Sequence, residues 1–467
     1  MSAPTSMSPA AIALNRFGLG ARPDDTPPID AKKWLLAQFS QYQATPTVWA
    51  ALPKTNEVMA EFAEYKKLKA QNKTEENGDE KGAARNMFRR GVRDDYAAAV
   101  RARVETSLTT PAPFVERLVY FWANHFAISI EKLPVLDLSG SYELNAIRTN
   151  VLGNFKDMLF AVEQHPAMLL FLDQANSIGP NSFAASRLAV RRPDKKRGLN
   201  ENLAREIMEL HTLGVRSGYK QADVTEFARA LTGWSIQAEN RDKDMQQGNH
   251  GFAFRPMLHE PGTRTILSKT YSQTGKAQGD AILNDLAASP ATAIHIATKL
   301  ARHFVGDSPP DSLIEKLKNN FINTKGDLPS LYKTLVDAPE AWQTTPTKFK
   351  NPWEWLVSSM RALGKQESNI MAVPLLNQLG MPVWKPGSPA GYDDIAETWA
   401  SPSALLRRVE LAQRLVASYG DTLDARTLSD KVLVGAISPQ TKSAISRAES
   451  ATTGLALMLV CPEFLRR

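Results

Sequence analysis

The sequence contains a single cysteine, Cys461, in 467 residues. One thiol cannot form a disulfide within the chain, and it excludes a zinc ribbon, a CxxC redox pair and a cysteine-bound iron–sulfur cluster. Haem-attachment, P-loop, Rossmann GxGxxG and GxSxG motifs are also missing, so nucleotide binding and α/β-hydrolase chemistry have no local support. Cys461 lies in the apolar run LALMLVCPEF, where we expect a buried, inert thiol.

Long hydrophobic runs and a leader pattern are missing as well. No apolar segment is long enough to span a bilayer, and the start, MSAPTSMSPAAIALNRFG, lacks a basic region followed by an apolar core. From the sequence as written we therefore expect a cytoplasmic protein without a signal peptide. If a leader once preceded these residues, a periplasmic or exported location is expected instead.

Neither sign of charge dominates the composition. Lysine and arginine number 56 against 49 aspartate and glutamate, which gives a formal net charge of +7. The hydrophobic fraction of 43% with 22% charged residues is typical of a soluble globular protein. A basic excess this small does not favour a nucleic-acid partner.

Apolar residues recur at helical spacing through most of the chain. They do so in FVERLVYFWANHFAIS, which starts at Phe114, and residues 276–340 read as four short helices. The convincing β signal is the alternation around Phe252 and Phe254, followed by the turn sequence EPG. We predict an all-α protein, a single large multi-helical domain over 1–467 with one small β-hairpin insertion.

Four subregions and several loops are expected within this domain. The subregions are N-terminal helices in 1–180, central motif helices in 187–235, a β-hairpin in 251–271 and C-terminal helices in 276–467. Polar composition predicts mobile loops at 74–83 and 237–250, and residues 174–197 turn irregular. The proline- and glycine-rich segment 381–394 predicts an ordered loop over a cleft.

The predicted helix 201–213 is the most informative stretch for chemistry. Asn200 is a good N-cap and Gly214 a left-handed stop. Around the helix, the buried stripe is expected to hold Leu203, Ile207 and Leu210.

The polar residues of this helix fall on different sides of it. Glu201, Arg205 and Glu209 form a ladder at i, i+4 spacing, whereas Glu206 and His211 border the buried stripe. Glu209 and His211 are about 200° apart, so they cannot share one metal ion. A carboxylate beside an apolar stripe must be paired or have a raised pKa, which favours Glu206 as a site residue.

No local metal motif supports a metalloenzyme. HExxH, HxH, HxxxH and ExxH spacings do not occur, which excludes the di-iron bundle pattern. A metal site assembled from distant segments, such as His125 with Glu206 or His211, is a minority alternative. The cofactor is therefore left unknown.

Several basic groups have a simpler interpretation than a binding site. A helix near residue 295 places His295, Lys299 and Arg302 on its polar side, which is typical of a solvated face. The basic run 187–197 is expected to be a solvated loop. Residues 218–233 superficially resemble the second helix of a helix-turn-helix, but their outward residues do not favour DNA recognition.

Successive blocks of the chain resemble one large bacterial family. The blocks are ALNRFGLGA, ERLVYFWANHFAIS, GLNENLAREIMELHTLGV with GYKQADVTEFARALTGW, FRPMLHEPGTRTILSKTY, IATKLARHFVGDSPP, WKPGSPAGYDD and CPEFLRR. The family is the domain-of-unknown-function family number eighteen hundred, and the resemblance covers nearly the whole chain. Lys220 departs from it by standing where a capping threonine is expected.

The resemblance implies a predominantly helical unit without an established activity. Members are often exported, and their genes often neighbour those of an exported sulfatase-like family, which makes a sulfatase-like protein a candidate partner. The absence of a leader in this sequence argues against export.

Our leading hypothesis is an enzyme whose cleft is walled by helix 201–213, the His125 helix, the hairpin and the 381–394 loop. Glu206 acts as acid–base or ligand, and His125 and His211 carry protons or bind a ligand. The candidate substrate-binding residues are Asn124, Asn200, Arg205, Glu209, Trp234, Arg255, His259, Arg302 and His303. Arg205, Arg255 and Arg302 are the anion clamps among them.

Two other functions compete with the enzyme. The first is a non-catalytic helical scaffold or partner-binding module, in which the same residues are buried polar struts. The second and weaker one is nucleic-acid binding through the basic surface.

Overall fold

The computed structural model describes residues 6–71, 78–191, 198–237, 246–367, 372–419 and 422–467. These ranges are mostly helical, with two small antiparallel sheets, which confirms the prediction of an all-α protein with a small β insertion. Within the same ranges, no helix combines the length and apolar content needed to cross a membrane.

Helices fill the first half of the chain. They are α1 (Pro9–Ala11), α2 (Ala31–Gln41), α3 (Thr47–Ala50), α4 (Thr55–Gln71), α5 (Gly78–Thr109), α6 (Pro113–His125), α7 (Leu133–Tyr142), α8 (Phe155–Glu163), α9 (Pro166–Phe171), α10 (Phe183–Arg191), α11 (Asn202–Glu206) and α12 (Gln221–Leu231). Three of these continue as a wider π-helical turn: α1 into Ile12–Phe17, α7 into Glu143–Arg148 and α11 into Ile207–His211.

Five short strands precede the remaining helices. The strands are β1 (Trp234–Ile236), β2 (Gln246–Gln247), β3 (Phe252–Phe254), β4 (Arg264–Ile266) and β5 (Lys269–Tyr271). The helices are α13 (Lys276–Ala287), α14 (Pro290–Phe304), α15 (Asp311–Asn323), α16 (Leu328–Asp337), α17 (Pro352–Ala362), α18 (Ala372–Gln378), α19 (Ala396–Trp399), α20 (Pro402–Val416), α21 (Ala425–Val432), α22 (Pro439–Ser446) and α23 (Ala451–Val460). The four helices expected in 276–340 are therefore present as α13 to α16.

Some predicted loops differ in the structure. Helix α5 begins at Gly78, so the second half of the predicted loop 74–83 is helical, whereas residues 74–77 lie outside the described residues. In the predicted loop 237–250, residues 238–245 lie outside them too, and β2 follows. Residues 174–197 were expected to be irregular, yet they contain α10. The end of the predicted basic loop, 192–197, is outside the described residues.

The β insertion pairs differently from the predicted hairpin 251–271. Strand β3 pairs with β1, where Trp234 lies opposite Phe254, and with β2 on its other edge, while β4 pairs with β5. Pro256 has no backbone N–H and starts a 3-10 turn directly after β3, so the alternation around Phe252 cannot extend into a long strand. The prediction of one hairpin was therefore wrong in its pairing.

The central helix runs from Asn202 to His211, within its predicted bounds of 201–213, with Glu201 and not Asn200 at the N-cap, and its geometry is not regular. The Asn200 Oδ1 accepts a hydrogen bond of 2.9 Å from the Asn202 N–H, and Gly214 has φ +88°. Between these ends the backbone changes from α11 to the π turn. A π turn holds more residues than an α turn, so angles assigned at 100° per residue fail beyond Ile207. His211 consequently lies inside the core, fully buried.

Two hydrophobic clusters form the interior. The larger cluster includes Leu118 and Trp122 of α6, and the second includes Trp355 and Leu356 of α17. Tyr120 of α6 belongs to the second cluster although its neighbours belong to the first. Helix α6 is thus shared between the two clusters.

An ion pair also joins the two clusters. The Arg117 Nη1 of α6 lies 2.5 Å from the Glu354 Oε1 of α17, and both side chains are buried. A capping box sets Glu354 in place, because Asn351 Oδ1 accepts from the Glu354 N–H and Glu354 Oε2 accepts from the Asn351 N–H. Separating the clusters would break this ion pair and leave the Arg117 and Glu354 charges without each other.

We expect the two clusters to unfold together because helix α6 and this ion pair belong to both. Urea unfolding followed by far-ultraviolet circular dichroism and by tryptophan fluorescence should give coincident transitions, since Trp122 and Trp355 report on different clusters. Two separated transitions would show that the clusters are independent folding units.

Candidate functional site

A cleft of roughly 220 Å³ lies where the two hydrophobic clusters meet. Its walls come from α5, α6 and the residues that follow it, α14, the start of α17 and the segment 381–394, and we call it the central cleft. The lining residues used below are Arg103, Tyr120, Asn124, His125, Lys299, Arg302, His303, Trp353, Glu354, Trp384, Tyr392 and Asp394.

The side-chain amide of Asn124 fixes the segment 381–394 to α6, because it forms two hydrogen bonds to the backbone of Tyr392, as a paired strand would. The Asn124 Nδ2 donates to the Tyr392 carbonyl at 2.8 Å, and the Tyr392 N–H donates to Asn124 Oδ1 at 2.7 Å. Gly391 has φ +83°, and a Cβ at this position would collide with the Asn124 carbonyl oxygen. The loop wall of the cleft is therefore an ordered element.

A histidine–aspartate pair crosses from α14 to this segment. The Nδ1 of His303 lies 2.8 Å from Asp394 Oδ2. Burial lowers the pKa of His303, and the nearby Asp394 only partly offsets this effect. Burial by itself would raise the pKa of Asp394, but the hydrogen bond from His303 and the Lys348 ammonium group outweigh it, so that the pKa lies well below its usual range.

Lys348 holds the acidic end of this pair. Its buried Nζ lies 3.1 Å from Asp394 Oδ1 and 2.9 Å from Asp307 Oδ1, and it also donates to the Asp394 carbonyl. Asp307 Oδ2 in turn accepts from the Ala396 N–H. The Asp394 carboxylate therefore stays ionised and in a fixed position relative to His303.

A second carboxylate, Glu354, lies between two arginines beside the cleft. Its Oε1 is 2.5 Å from Arg117 Nη1 and 2.7 Å from Arg467 Nη2. Burial alone would raise the pKa of Glu354, but Arg467 and Arg117 lower it to about 2. Arg467 also donates to the His303 carbonyl at 2.8 Å, which connects this cluster to α14.

Two cations on α14, Lys299 and Arg302, face the cleft without a hydrogen bond or an ion pair to the described residues. Three buried nitrogen atoms on cleft-lining residues are also unpartnered there: His125 Nδ1, Arg302 Nε and His303 Nε2. Buried polar atoms are normally hydrogen-bonded, so this concentration is typical of a ligand site.

Aromatic rings enclose another wall around Arg103. The guanidinium carbon of Arg103 lies 4.7 Å from the Tyr120 ring centroid, 4.5 Å from that of Trp353 and 5.4 Å from that of Trp384. Glu143 binds Arg103 Nε at 3.0 Å and accepts from Trp384 Nε1 at 2.9 Å. The Arg103 charge is thus neutralised within the wall, unlike the charges on α14.

Four of the predicted site residues line the central cleft: Asn124, His125, Arg302 and His303. His125 Nε2 is 3.2 Å from the His211 carbonyl oxygen, and burial lowers the pKa of His125 well below its usual value. The ring centroids of His125 and His211 are 6.3 Å apart. Of the expected cleft walls, the His125 helix and the 381–394 loop contribute lining residues.

His211 and Glu206 lie outside the lining of the cleft. The His211 Nδ1 is bound to Glu163 Oε1 at 2.7 Å in the core. Burial raises the pKa of half-buried Glu206, and His211 opposes this rise. The structure therefore brings His125 and His211 together, whereas Glu206 contributes to no wall of the cleft.

The remaining predicted site residues lie elsewhere in the fold. Arg205 joins Glu201 and Glu209 at 3.2 and 3.5 Å in the predicted ladder. His259 Nδ1 bonds to the Thr232 carbonyl at 2.8 Å, in the β insertion. None of these residues lines the cleft, and the same holds for Asn200, Trp234 and Arg255.

Sequence reasoning assigned Lys299 to a solvated face and missed the acidic residues of the site. In the structure His295 Nε2 lies 3.0 Å from the Leu210 carbonyl oxygen, whereas Lys299 and Arg302 line the cleft together with residues of the 381–394 segment. Signals for the others existed: Asn351 and Glu354 fit a capping box, and Asp394 ends the loop that was expected over a cleft. No sequence pattern links Lys348 to Asp394 or Arg467 to Glu354.

The described residues contain no group of three or more histidine, cysteine, aspartate or glutamate side chains that could hold a metal ion. His125 and His211 approach each other, but the His211 ring is already bound to Glu163. A metal assembled from His125 with Glu206 or His211 gains no support from this geometry.

Comparison with known proteins assigns the chain to a family. The family model described as "Protein of unknown function (DUF1800)" matches residues 12–466. The chain belongs to the DUF1800 family. No curated protein and no solved structure gives a match. The family assignment confirms the resemblance of the sequence blocks, and it gives no activity to this member.

Replacing Glu354 by glutamine should destabilise the protein by about 3–5 kcal/mol at neutral pH, because two arginines lose a buried counter-ion. The free energy of unfolding in urea measures this loss. Glu315→Gln is the control, since Glu315 forms an ion pair with Lys318 at the surface and should cost less than about 1 kcal/mol.

The pH dependence of this difference follows from the lowered pKa. A carboxylate with a depressed pKa stabilises the fold above its ordinary value of 4.5 and loses that contribution as the pH falls towards about 2. The stability difference between the wild type and Glu354→Gln should therefore shrink as the pH falls below about 4.5. A difference that stays constant over this range would contradict the assigned charge state.

Proposed function

We propose that this DUF1800 protein is an enzyme that binds a small organic anion in the central cleft and transfers a proton through His303. The observation that carries this proposal is the meeting of two unpaired cations, Lys299 and Arg302, with the buried His303–Asp394 pair on one cleft wall. Perturbed ionisable groups that converge in a cleft are characteristic of active sites.

The His303–Asp394 pair has the geometry of a general base. The Nδ1–H of His303 donates a hydrogen bond to ionised Asp394, which leaves Nε2 of a neutral imidazole with a free electron pair. Burial lowers the pKa of His303 below its ordinary value, which favours the neutral ring. A neutral imidazole can take a proton from a substrate, and its conjugate acid can return it.

The cations of α14 supply the recognition of an anion. Lys299 and Arg302 are three residues apart on one helix, so their side chains lie on the same face. An arginine presents a planar fork that matches a carboxylate or a phosphate, and it remains charged at any physiological pH. A ligand anion would satisfy the buried Nε of Arg302, which has no partner among the described residues.

The size and lining of the cleft restrict the ligand. A space of roughly 220 Å³ admits a small metabolite rather than a polymer chain. Tyr120, Trp353 and Trp384 provide aromatic surface in the lining. These features support a ligand with one anionic end and a compact apolar or planar part.

The wider set of site residues predicted from the sequence is kept as a second proposal. In it, His125 takes part in proton transfer at the cleft, and Glu206 and His211 act behind it. The His211–Glu163 pair at 2.7 Å also fits the alternative of a non-catalytic scaffold, in which His211 is a buried polar strut. A sulfatase-like partner and nucleic-acid binding stay predictions from the sequence.

Anion binding is tested by titrating the protein with pyruvate and with inorganic phosphate while following tryptophan fluorescence, because Trp353 and Trp384 line the cleft. We expect saturable binding that Arg302→Gln weakens at least about tenfold, the effect of losing one charge-assisted hydrogen bond. Lys442→Gln removes the same charge from an exposed pair and should change the affinity less than about twofold. Equal effects of the two variants would overturn the site.

The base assignment is tested by nitrogen NMR of the histidine rings. At pH 7 His303 should be neutral and carry its proton on Nδ1, and Asp394→Asn should abolish this preference because the anionic acceptor is lost. The His211 ring, which is bound to Glu163 and not to Asp394, serves as the internal control. A His303 ring protonated on both nitrogens at pH 7 would exclude it as the base.

A further inference from the structure

Helix α14 brings an amine, a guanidinium and an imidazole to one wall of the central cleft. Lys299, Arg302 and His303 occupy positions i, i+3 and i+4, which neighbour one another on a helix surface. All three line the cleft. The three groups can therefore act on different atoms of one small ligand.

Lys299, which is half-buried, differs from the two buried lysines around the site. Lys348 is held by Asp307 and Asp394, and Lys350 donates to Ser358 Oγ at 3.1 Å and lies 4.1 Å from the Phe464 ring centroid. Lys299 makes neither a hydrogen bond nor an ion pair with any described residue, and it lines the cleft, whereas Lys348 and Lys350 do not. Its amine is available to a ligand.

The cleft offers few other nucleophiles. Its described lining contains no serine, threonine or cysteine, and Cys461 is buried elsewhere in the second cluster. The tyrosine hydroxyls are engaged: that of Tyr120 is bonded to Ser107 Oγ, and that of Tyr392 to the carbonyls of Pro382 and Lys385. Among the lining residues, Lys299 is the one whose side chain can form an imine with a carbonyl substrate.

We propose that Lys299 forms an imine with the carbonyl carbon of a 2-oxo acid whose carboxylate is bound by Arg302. This inference rests on the proposed function, and it names the substrate class of the same cleft. A 2-oxo acid carries its anionic group on the atom next to the carbonyl, which matches an amine and a guanidinium three residues apart on one helix.

The reaction requires no oxidant or reductant. The neutral Lys299 amine attacks the carbonyl carbon, and the carbonyl oxygen takes up one proton from solvent water to become a hydroxyl; this proton accounts for the positive charge of the final imine. The nitrogen then loses a proton to His303 Nε2, the hydroxyl receives a proton from the same histidine and leaves as water, and a protonated imine remains. Its positive nitrogen accepts the electron pair when a bond to the neighbouring carbon breaks, so proton removal from that carbon becomes easier.

The electrostatic environment keeps part of Lys299 in the reactive form. Burial lowers the pKa of Lys299 to about 8, and although Asp394 opposes this shift, Arg302 adds to it. Roughly a tenth of the lysine is then neutral at pH 7, compared with less than about one part in a thousand for an exposed lysine.

The test incubates the full-length protein with pyruvate and then adds sodium borohydride, which reduces an imine to a stable secondary amine. Peptide mass spectrometry should locate one pyruvate adduct on Lys299, and its yield should rise as the pH increases from about 7 to 9. Lys299→Arg should remove the adduct. Arg302→Gln should lower the yield at least about tenfold with pyruvate, but little with acetone, which has no carboxylate.

Lys350 is the matched control within the same protein. Burial lowers its pKa to about 7, even further than that of Lys299, but it does not line the cleft. It should stay unmodified, because an easily deprotonated amine without access cannot reach pyruvate. An adduct on Lys350, or adducts spread over exposed lysines, would overturn the proposal.

A second readout follows the proton transfer directly. Pyruvate in D₂O should exchange its methyl hydrogens in the presence of the wild type, and both Lys299→Arg and His303→Gln should lose at least about tenfold of this rate. If no adduct forms while pyruvate still binds with Arg302 dependence, the imine is wrong and anion binding stands. If pyruvate and phosphate both fail to bind, the proposed function falls with it.

Discussion

The carboxylate of Glu354 is the group on which the site depends, because it neutralises two buried arginines from distant parts of the chain. Arg117 belongs to α6, and Arg467 follows α23; without Glu354, both positive charges would stay in the interior. Arg467 also bonds to the backbone of His303, so the same cluster fixes the helix that carries the base. The cleft is therefore held in place by the neutralisation of Arg117 and Arg467 by Glu354.

The cleft separates paired charges from unpaired ones. Asp394, Glu354 and Arg103 each form an ion pair with another side chain. These pairs neutralise the three charges and connect the walls of the cleft. Lys299 and Arg302 project from α14 without such a pair among the described residues. A protein with a net charge of only +7 thus creates a local positive site through the arrangement of its charges and not through their number.

Much of the fold could be predicted from the sequence, but only part of the site. Helical periodicity located α6 and α13 to α16, and the composition of 381–394 indicated a loop over a cleft. The π turn after α11 could not be predicted, since it breaks the angular rule that placed His211 at the edge of the stripe. Lys299 was assigned to solvent because its helix does not reveal what covers it. Asp394, Lys348 and Arg467 meet only in three dimensions, through contacts that no local pattern encodes.

The distance in sequence between Glu354 and its two partners affects how the protein folds during synthesis. Arg117 is synthesised 237 residues before Glu354, and Arg467 a further 113 residues later. On a ribosome, α6 would emerge long before Glu354, and the half-built interior would carry an unbalanced guanidinium group until translation reached that carboxylate. Contacts with so many intervening residues close slowly. The nascent polypeptide should therefore rely on chaperone protection during synthesis, and its cleft should be among the last parts to mature.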